Sequence, residues 1–416
     1  MNAELIGSLG RMRGVRRGAG VQLASEGPIP MTTSPAIPFG RPWITDGDRQ
    51  AVLDVLQGHI LTHGPQGQGF EDEFASFMGE GSYCVAVSSC TAALHLAYFQ
   101  MGLGPGDEVI VPAQTHNATA HAVELVGARP VFVDCEPNTG NIDVAKIEQH
   151  ITAKTKALSV VHFLGIPCDM DGILSLAQRY GLKVVEDCAL ALGARYKGKH
   201  VGLFGDAGCF SFYPVKHITT GDGGMFVTRH QDVAATVARL RAFGVDRTHG
   251  ERSIPGVYDV TALGLNYRLS EMQAALGRQQ LARINQILER RRDNFTRLKS
   301  AIRGVADISV LDATDEVSAN SYYCLSVVLQ RNLVRHRDRL VAKLNEAGVG
   351  TSIYYPHPVP RLSYYREKYG YVAGAYPNAE AISDCSIALP VGPHVSPSDV
   401  EYIGTTLKGA VEEVNS

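Results

Sequence analysis

Lys216 is the residue of this sequence best placed for covalent chemistry. It follows a short apolar and aromatic run, GCFSFYPV at residues 208–215, and precedes the glycine-rich stretch GDGG at residues 221–224. An amine held against an apolar wall loses hydration, and desolvation disfavours its ammonium form. A neutral lysine is a nucleophile that forms a Schiff base with a carbonyl. The alternative for a single lysine is an ordinary surface residue near a strand end.

A carboxylate at the end of a predicted strand favours the first interpretation. Val184 and Val185 run directly into Glu186 and Asp187, the pattern of a buried parallel strand with an acid at its carboxyl end. Ligands of open α/β sheets bind outside the carboxyl ends of the strands. Taken alone, Asp187 is equally consistent with a helix N-cap. An aspartate for a pyridinium nitrogen together with a Schiff-base lysine, here Lys216, is the binding signature of pyridoxal 5′-phosphate.

A candidate phosphate site lies upstream of both residues. Residues 84–87 read as a buried strand, residues 92–101 read as a helix, and Ser88, Ser89, Cys90 and Thr91 connect them. The backbone N–H groups and the dipole of a helix N-terminus both favour an anion. The alternative for one serine is an ordinary helix N-cap. With Lys216 downstream, the sequence predicts a cup for the phosphate of the cofactor.

Composition places limits on the class of protein. The chain has 416 residues, 45% hydrophobic and 19% charged, which predicts two or three domains. A net charge of −3 gives no basic surplus for nucleic acid. The eight cysteines form no C-x-x-C pair, so we expect free thiols and a cytoplasmic location. The sequence contains no apolar run of about 18 residues, and we therefore expect no membrane-spanning helix.

Strands and helices alternate along most of the chain, which predicts an α/β fold with a mostly parallel sheet. Residues 1–35, rich in arginine, glycine and proline, are expected to be a flexible extension, and a smaller α/β unit is expected from about residue 281. Strands are predicted at 84–87, 108–111, 131–134, 157–161, 183–186, 224–228 and 322–329, and a strand after a helix within 381–389. Helices are predicted at 45–56, from 70 after a glycine-rich loop over 59–69, at 92–101, 117–126, 172–180 and 233–243, as one long helix from 264 to about 300, and at 336–347.

Four motifs in this order give the chain a specific resemblance. They are SSCTAALHLA, VPAQTHNATAHAV, VVEDCALALGARYKGKHVGLFGDAGCFSFYPVKHITTGDGG and GLNYRLSEMQAALG. Over roughly residues 36–410 the chain resembles the DegT/DnrJ/EryC1/StrS family of pyridoxal-phosphate-dependent sugar aminotransferases. The resemblance implies an aspartate-aminotransferase-like fold, fold type I. It has a large cofactor domain at 36–280, whose N-terminal segment contributes to the small domain, and a small C-terminal domain at 281–416.

The resemblance also implies roles for individual residues. Pyridoxal 5′-phosphate would be bound covalently to Lys216 as an internal aldimine, with pyridoxamine phosphate as an intermediate of the cycle. The implied catalytic residues are Lys216 and Asp187, and the implied cofactor contacts are Ser89, Cys90 through its backbone, Thr91, His116 stacked on the ring, Asp187, Ser211, Lys216 and Asn266. Asn266 would reach the phosphate of a neighbouring subunit, which implies a homodimer with shared active sites. No metal is implied.

Several features depart from the family pattern or stay open. Leu190 stands where many members have a glutamine near the hydroxyl of the cofactor, so that contact is in doubt. His162, at the end of a predicted strand, has either a supporting or a purely structural role. The charged run of residues 289–292 is interpreted as a solvated helix face.

The implied activity is transfer of an amino group from glutamate to a 3- or 4-keto group, with 4-keto preferred, of a nucleotide-activated deoxysugar. Such a product would serve amino-sugar, O-antigen or antibiotic biosynthesis. The partners are then a keto-sugar nucleotide and an amino-acid donor, with no nucleic acid and no membrane. One alternative is a glutamine-dependent aminocyclitol aminotransferase acting on a keto-inositol. Another is a sugar dehydratase, whose family members carry histidine in place of Lys216. A non-catalytic regulator would need a DNA-binding domain, for which residues 1–35 are too few.

Overall fold

A computed structural model of the protein describes residues 36–79, 81–246, 254, 256–312 and 316–415. The flexible extension expected at residues 1–35 lies outside the described residues. The strands are β1 Tyr83–Val87, β2 Glu108–Pro112, β3 Arg129–Val133, β4 Thr155–Val161, β5 Lys183–Asp187, β6 Arg195–Tyr196, β7 Lys199–His200, β8 Ala207–Ser211, β9 Gly224–Thr228, β10 Ile308–Val310, β11 Ser318–Ala319, β12 Leu325–Leu329 and β13 Ser386–Leu389.

The helices alternate with the strands in the first two thirds of the described chain and dominate the last third. They are α1 Asp46–Gln57, α2 Pro65–Met78, α3 Cys90–Gln100, α4 Asn117–Leu125, α5 Val144–Ile147, α6 Met170–Tyr180, α7 Gln231–Leu240, α8 Glu271–Leu281, α9 Ile284–Ala301, α10 Arg337–Glu346, α11 Ser363–Tyr369, α12 Pro377–Cys385 and α13 Pro397–Asn415.

A seven-stranded sheet in the order β1-β9-β8-β5-β4-β2-β3 forms the centre of the fold. The pairs between β3, β2, β4, β5 and β8 are parallel, whereas β9 is antiparallel to both β8 and β1. Its strands are nearly continuous apolar runs because both faces are covered. In β2, Val109 and Val111 belong to one hydrophobic cluster and Ile110 to a second cluster on the opposite face. The mostly parallel α/β sheet predicted from the sequence is confirmed.

Two smaller sheets complete the described strands. One consists of β10, β12 and β13, and the other of β11, β6 and β7; all their pairs are antiparallel. A third hydrophobic cluster joins β12 and β13 to α9, α10 and α13, and it includes Ile37. The backbone of Ile37 pairs with the 348–350 segment, donating to Gly348 O and accepting from Gly350 N, both at 2.8 Å. On this packing we propose a small C-terminal domain to which the segment near residue 37 contributes.

Three predicted element boundaries are wrong, and each has a local cause. The second helix begins at Pro65 rather than after Gly69, because proline at the first helical position needs no N–H partner. The single helix expected from 264 to about 300 begins only at Glu271, after the N-cap Ser270, and is two helices, since Arg283 leaves the helical region with φ −106° and ψ 8°. The strand expected from residue 322 begins at Leu325, because Tyr322 has φ +55°, which a strand does not accommodate.

Two further findings concern membrane-spanning helices and the cysteines. Among the described residues, no helix combines the length and apolar character needed to cross a bilayer. All eight cysteines are free thiols, seven of them buried and Cys84 partly exposed.

Candidate active site

The predicted site residues meet at one edge of the large sheet. Asp187 ends β5, Ser211 ends β8 and Val87 ends β1. The register pairs Asp187 with Cys209 of β8, Ser211 with Gly224 of β9, and Gly224 with Val87. The sheet therefore brings together the carboxylate, the connection into α3 and the loop that carries Lys216, all of which are far apart in the sequence. This edge is where ligands of open α/β sheets bind.

The N-terminus of α3 is built to approach an anion through its backbone. Ser89 is the N-cap, and its hydroxyl accepts a hydrogen bond of 3.1 Å from the N–H of Ala92. The N–H groups of Cys90 and Thr91, in the first turn, have no partner within the helix. A side chain at Gly224 would place its Cβ 2.5 Å from the carbonyl carbon of Ser89 and 2.6 Å from Cys90 N. Only glycine at 224 lets β9 pass so close to this helix start.

Asp187 is buried and held in a fixed orientation. Its Oδ2 accepts a hydrogen bond of 2.8 Å from the Thr119 hydroxyl, and its Oδ1 accepts one of 3.0 Å from the N–H of Ala189. The thiol of Cys90 lies 3.9 Å from Oδ1 and 3.5 Å from the carbonyl oxygen of Cys209. Since each carboxylate oxygen has two lone pairs, Asp187 retains acceptor capacity for a ring N–H. The Cys90 thiol points at these groups, which is consistent with the expected backbone role of Cys90.

Lys216 carries an amine whose charge is easily lost. The residue is half-buried, and burial lowers the pKa of Lys216 to about 8 despite the opposing charge of Asp187. The aromatic residue beside its amine does not come from the apolar run that precedes Lys216 in the sequence. Phe212 packs on Phe70 and Phe74 in the core, whereas Nζ of Lys216 lies 5.2 Å from the ring centre of Tyr323. The desolvation expected from the sequence is present, but a different aromatic residue lies at the amine.

His116 caps α4, and its ring is available at the site edge. Its Nδ1 accepts a hydrogen bond of 3.1 Å from Ala118 N, and the ring is exposed. The centre of this ring lies 5.4 Å from that of Tyr355, at 71° to it. Ser211 is half-buried at the end of β8, and its hydroxyl accepts a long hydrogen bond of 3.4 Å from Tyr213 N. Stacking of His116 on the cofactor and a bond from Ser211 to its phosphate stay predictions.

Asn266 is exposed, and the residues that follow it contact the segment between β1 and α3. Ala242 forms an isolated bridge with it, and the next residue, Tyr267, accepts a hydrogen bond of 2.8 Å from Ser88 N. The 266–268 segment therefore runs along the end of β1 in its own chain. Which subunit's phosphate Asn266 would contact stays a prediction.

His162 supports the structure through hydrogen bonds to other described residues. It forms a hydrogen bond of 3.0 Å with Oε2 of Glu186, and its Nδ1 accepts from Cys168 N. Both side chains are fully buried. Glu186 also accepts from three backbone N–H groups, those of Gly202, Phe204 and Gly205 at 2.6–2.8 Å. Although His162, Glu186 and Cys188 lie close together, the histidine and carboxylate are already saturated by protein donors, so they fix the 202–205 loop.

The interpretation of residues 289–292 as a solvated helix face is wrong for Arg291, whereas the other three residues are exposed. Arg291 was expected on a solvated face, yet it is only 6% exposed, and its Nη1 donates to the carbonyl oxygen of Tyr323 at 2.8 Å. The spacing contains the signal, because Arg291 lies four residues after Ile287 and four before Phe295, both buried on α9. Thr119 and Tyr323 were not identified from the sequence at all. Leu190, at the position of the family glutamine, is buried and offers only its backbone carbonyl, which accepts from Ser321.

The residues present fit pyridoxal phosphate. The glycine-lined start of α3 matches a phosphate, the oriented Asp187 matches a protonated ring nitrogen, and the Lys216 amine is available to a carbonyl. These three groups lie on adjacent strand ends of one sheet.

Comparisons with known proteins point to the same chemistry. A model of the DegT/DnrJ/EryC1/StrS aminotransferase family matches residues 42–408. The spore coat polysaccharide biosynthesis protein SpsC of Bacillus subtilis is 37% identical over 380 residues, covering 90% of this chain and 97% of that protein. The structure of S. venezuelae DesV in complex with a ketimine intermediate is 35% identical, with a TM-score of 0.81 and coverage of 88% and 94%. Spr1654 from Streptococcus pneumoniae in its PLP form is 31% identical, with a TM-score of 0.84 and coverage of 91% and 99%.

Proposed function

We propose that this protein transfers the amino group of glutamate to a nucleotide-activated keto-deoxysugar. The chain belongs to the DegT/DnrJ/EryC1/StrS aminotransferase family and is a pyridoxal-phosphate-dependent sugar aminotransferase. The keto group is at position 3 or 4, with position 4 preferred. The observation that carries the proposal is the placement of Lys216, Asp187 and the α3 N-terminus on one sheet edge. The similarity to SpsC, a polysaccharide biosynthesis protein, agrees with an amino-sugar product.

Pyridoxal phosphate, when bound, would supply an aldehyde carbon that takes up and returns the amino group. Its ring would withdraw electrons from the reacting carbon. Asp187 would accept a hydrogen bond from the ring nitrogen of the cofactor and so favour its protonated form. The N–H groups of Cys90 and Thr91, with the Ser211 hydroxyl, hold the phosphate at the start of α3. Lys216 would hold the cofactor through Nζ, and its free amine would accept a proton as a base and donate it as an acid.

The presence of Lys216 argues against the dehydratase alternative. Family dehydratases have histidine at this position, whereas this chain has Lys216, and burial lowers the pKa of its amine to about 8. An amine that is partly neutral near pH 8 serves as both the covalent attachment and the proton carrier. The alternative substrate, a keto-inositol with glutamine as donor, is an outcome of the experiment below.

An exposed apolar segment before Asn266 supports the homodimer. Val245 and Val260 form an isolated bridge, and the described residues around Val260 expose large apolar side chains. Those side chains, 50–76% exposed, are Ile254, Val257, Tyr258, Val260 and Leu263. Exposed apolar patches are typical of protein–protein interfaces. We propose that the segment packs on a second copy and carries Asn266 to the partner's active site.

The eight free thiols suit a cytoplasmic location.

A substrate screen tests the proposed reaction. Purified protein is incubated with glutamate or glutamine and a panel of 3- and 4-keto nucleotide sugars and keto-inositols, and amine products are detected by mass. We expect a 4-keto nucleotide sugar incubated with glutamate to gain about one mass unit, because the keto oxygen is replaced by one hydrogen and an NH2 group while glutamate becomes its keto acid. Lys216→Ala protein is the control and should give no product. Amination of a keto-inositol alone, or of no member of the panel, would contradict the proposal.

A further inference from the structure

A buried tyrosine presents its ring to the amine of Lys216. Tyr323, 3% exposed, lies two residues before β12, and the centre of its ring is 5.2 Å from Nζ of Lys216. A cation within about 6 Å of a ring centre is attracted by the negative face of the ring. This attraction is larger at a desolvated site than at the surface.

Two contacts fix the position of this ring. The hydroxyls of Tyr323 and Tyr354 lie 2.7 Å apart, and Arg291 donates to the carbonyl oxygen of Tyr323 at 2.8 Å. The guanidinium carbon of Arg291 is also 5.9 Å from the centre of the same ring. Tyr323 is thus held through its hydroxyl and through its main chain. An aromatic ring fixed in this way is preorganised for a ligand or a mobile side chain.

Few groups around Lys216 favour its ammonium form. The titratable groups that face it are Cys90 on α3, His116 at the start of α4, Asp187 on β5, Cys324 before β12, Tyr323 and the neighbouring His217. Burial raises the pKa of both thiols and lowers the pKa of both imidazoles, so these four groups are neutral near pH 7. Burial likewise raises the pKa of Tyr323. Asp187 is the only carboxylate in this set. In the proposed function it accepts a hydrogen bond from the cofactor ring and is not free to pair with Lys216.

We propose that Tyr323 is a positioning residue for transamination, whose ring face holds the Lys216 ammonium whenever that amine is not bonded to the cofactor. Lys216 takes a proton from one carbon and returns it to another, so it exists as an ammonium in between. The Tyr323 ring stabilises that form without removing the proton. It also keeps Nζ at the site while Asp187 is engaged by the ring nitrogen. The inference rests on the proposed role of Lys216 and adds the group that holds its charge.

The test varies the charge of the ring face at constant shape. Full-length protein freed of cofactor carries phenylalanine, 3,5-difluorophenylalanine or 3,4,5-trifluorophenylalanine at position 323. Fluorine withdraws electrons from the ring and weakens its attraction for a cation. Competitive acetylation with acetic anhydride across pH, followed by mass analysis of the peptide containing Lys216, gives the pKa of that amine. Tyr354→Phe protein, which keeps the ring of Tyr323, is the matched control.

The pKa of Lys216 should fall stepwise along the fluorine series by about one unit in total, a roughly tenfold weaker hold on the proton. Tyr323→Phe and Tyr354→Phe lose the hydroxyl contact but keep an unfluorinated ring at position 323 and the main-chain bond from Arg291, so they should stay close to wild type. A constant or rising pKa along the series would overturn the inference, as would an equal drop in all variants including Tyr354→Phe. Because the cofactor-free amine is measured directly, this outcome is independent of the cofactor spectrum and of the substrate screen, which test the proposed function itself.

Discussion

The hydroxyl of Thr119 donates a hydrogen bond of 2.8 Å to Oδ2 of Asp187, joining the first turn of α4 to the end of β5. Both side chains are buried, and Thr119 is also within 2.8 Å of the Thr115 hydroxyl. A carboxylate fixed by a side chain from another element cannot rotate freely. Thr119 therefore sets the direction in which Asp187 offers its remaining lone pairs.

Replacing Thr119 with valine should weaken cofactor binding while the fold is kept. Valine has nearly the shape of threonine but no hydroxyl, so one oxygen of Asp187 loses its donor, a loss of about 1.5–3 kcal/mol for a bond to a charged group. We expect a Kd for pyridoxal phosphate about 10- to 100-fold higher than that of wild type, measured by equilibrium titration of absorbance. Thr119→Ser, which restores the hydroxyl, should recover most of the affinity. Equal affinity in Thr119→Val and wild type would show that the bond does not orient Asp187.

Lys216→Ala should abolish covalent attachment of the cofactor. The variant should lack the absorbance band near the visible edge, and borohydride reduction should fix no cofactor on the protein. The measurement is the spectrum together with the intact mass after reduction. Lys199→Ala is the control, because Lys199 lies on β7, outside the active site, and contacts the ring of Phe204 instead. Covalent cofactor on the Lys216 variant would remove Lys216 from the proposed role.

Covalent cofactor uptake should depend on pH through the Lys216 amine. Below the pKa of Lys216, about 8, the amine is an ammonium and does not attack a carbonyl; above it the amine is neutral. The rate of uptake by cofactor-free protein should therefore rise about tenfold per pH unit below 8 and level off above it. Stopped-flow absorbance at fixed cofactor concentration gives the profile. Free lysine, with a side-chain pKa of about 10.4, is the reference, and a protein profile that still climbs through pH 10 would contradict the lowered pKa.

The large sheet and its ligand edge could be predicted because their signals are local. The strand over residues 183–187 is a β-branched run ending in carboxylates, and the motif after β1 combines small polar residues with a helix start. Each of these patterns is contained in fewer than about ten residues, so the sequence displays it directly. Lys216 and Asp187 were identified for the same reason, since each stands within a short local pattern: a glycine-flanked loop for Lys216 and the end of a β-branched run for Asp187.

The groups that orient these residues could not be predicted from local patterns. Thr119 meets Asp187 from 68 residues away, and Tyr323 reaches Lys216 from another part of the chain altogether. Such contacts depend on how α4 and the segment before β12 pack on the sheet edge. Arg291 is different, because its spacing on α9 places it on the apolar face. The prediction for this run followed its charged composition, whereas the helical period correctly indicates that Arg291 is buried.

Glu186→Ala should destabilise the protein strongly although Glu186 does not face the cofactor. The substitution leaves the N–H groups of Gly202, Phe204 and Gly205 without their buried acceptor, and His162 loses its partner. We expect a loss of about 3–5 kcal/mol in the free energy of unfolding, measured by urea titration at fixed protein concentration. Glu148→Ala is the control, because Glu148 is exposed and pairs only at the surface, so little change is expected. A loss below about 1 kcal/mol for Glu186→Ala would show that the loop finds other acceptors.

The shared active site can be tested by complementation between two inactive variants. If Asn266 of one subunit serves the phosphate of the other, a dimer of one Lys216→Ala chain and one Asn266→Ala chain has one site with both lesions and one with neither. Random exchange of equal amounts makes half of the dimers mixed, so about a quarter of wild-type activity should return. Subunit exchange is verified by native mass spectrometry of chains with different tags. If Asn266 instead served its own chain, every site in the mixed dimer would carry one lesion, and activity would stay at the level of the separate variants.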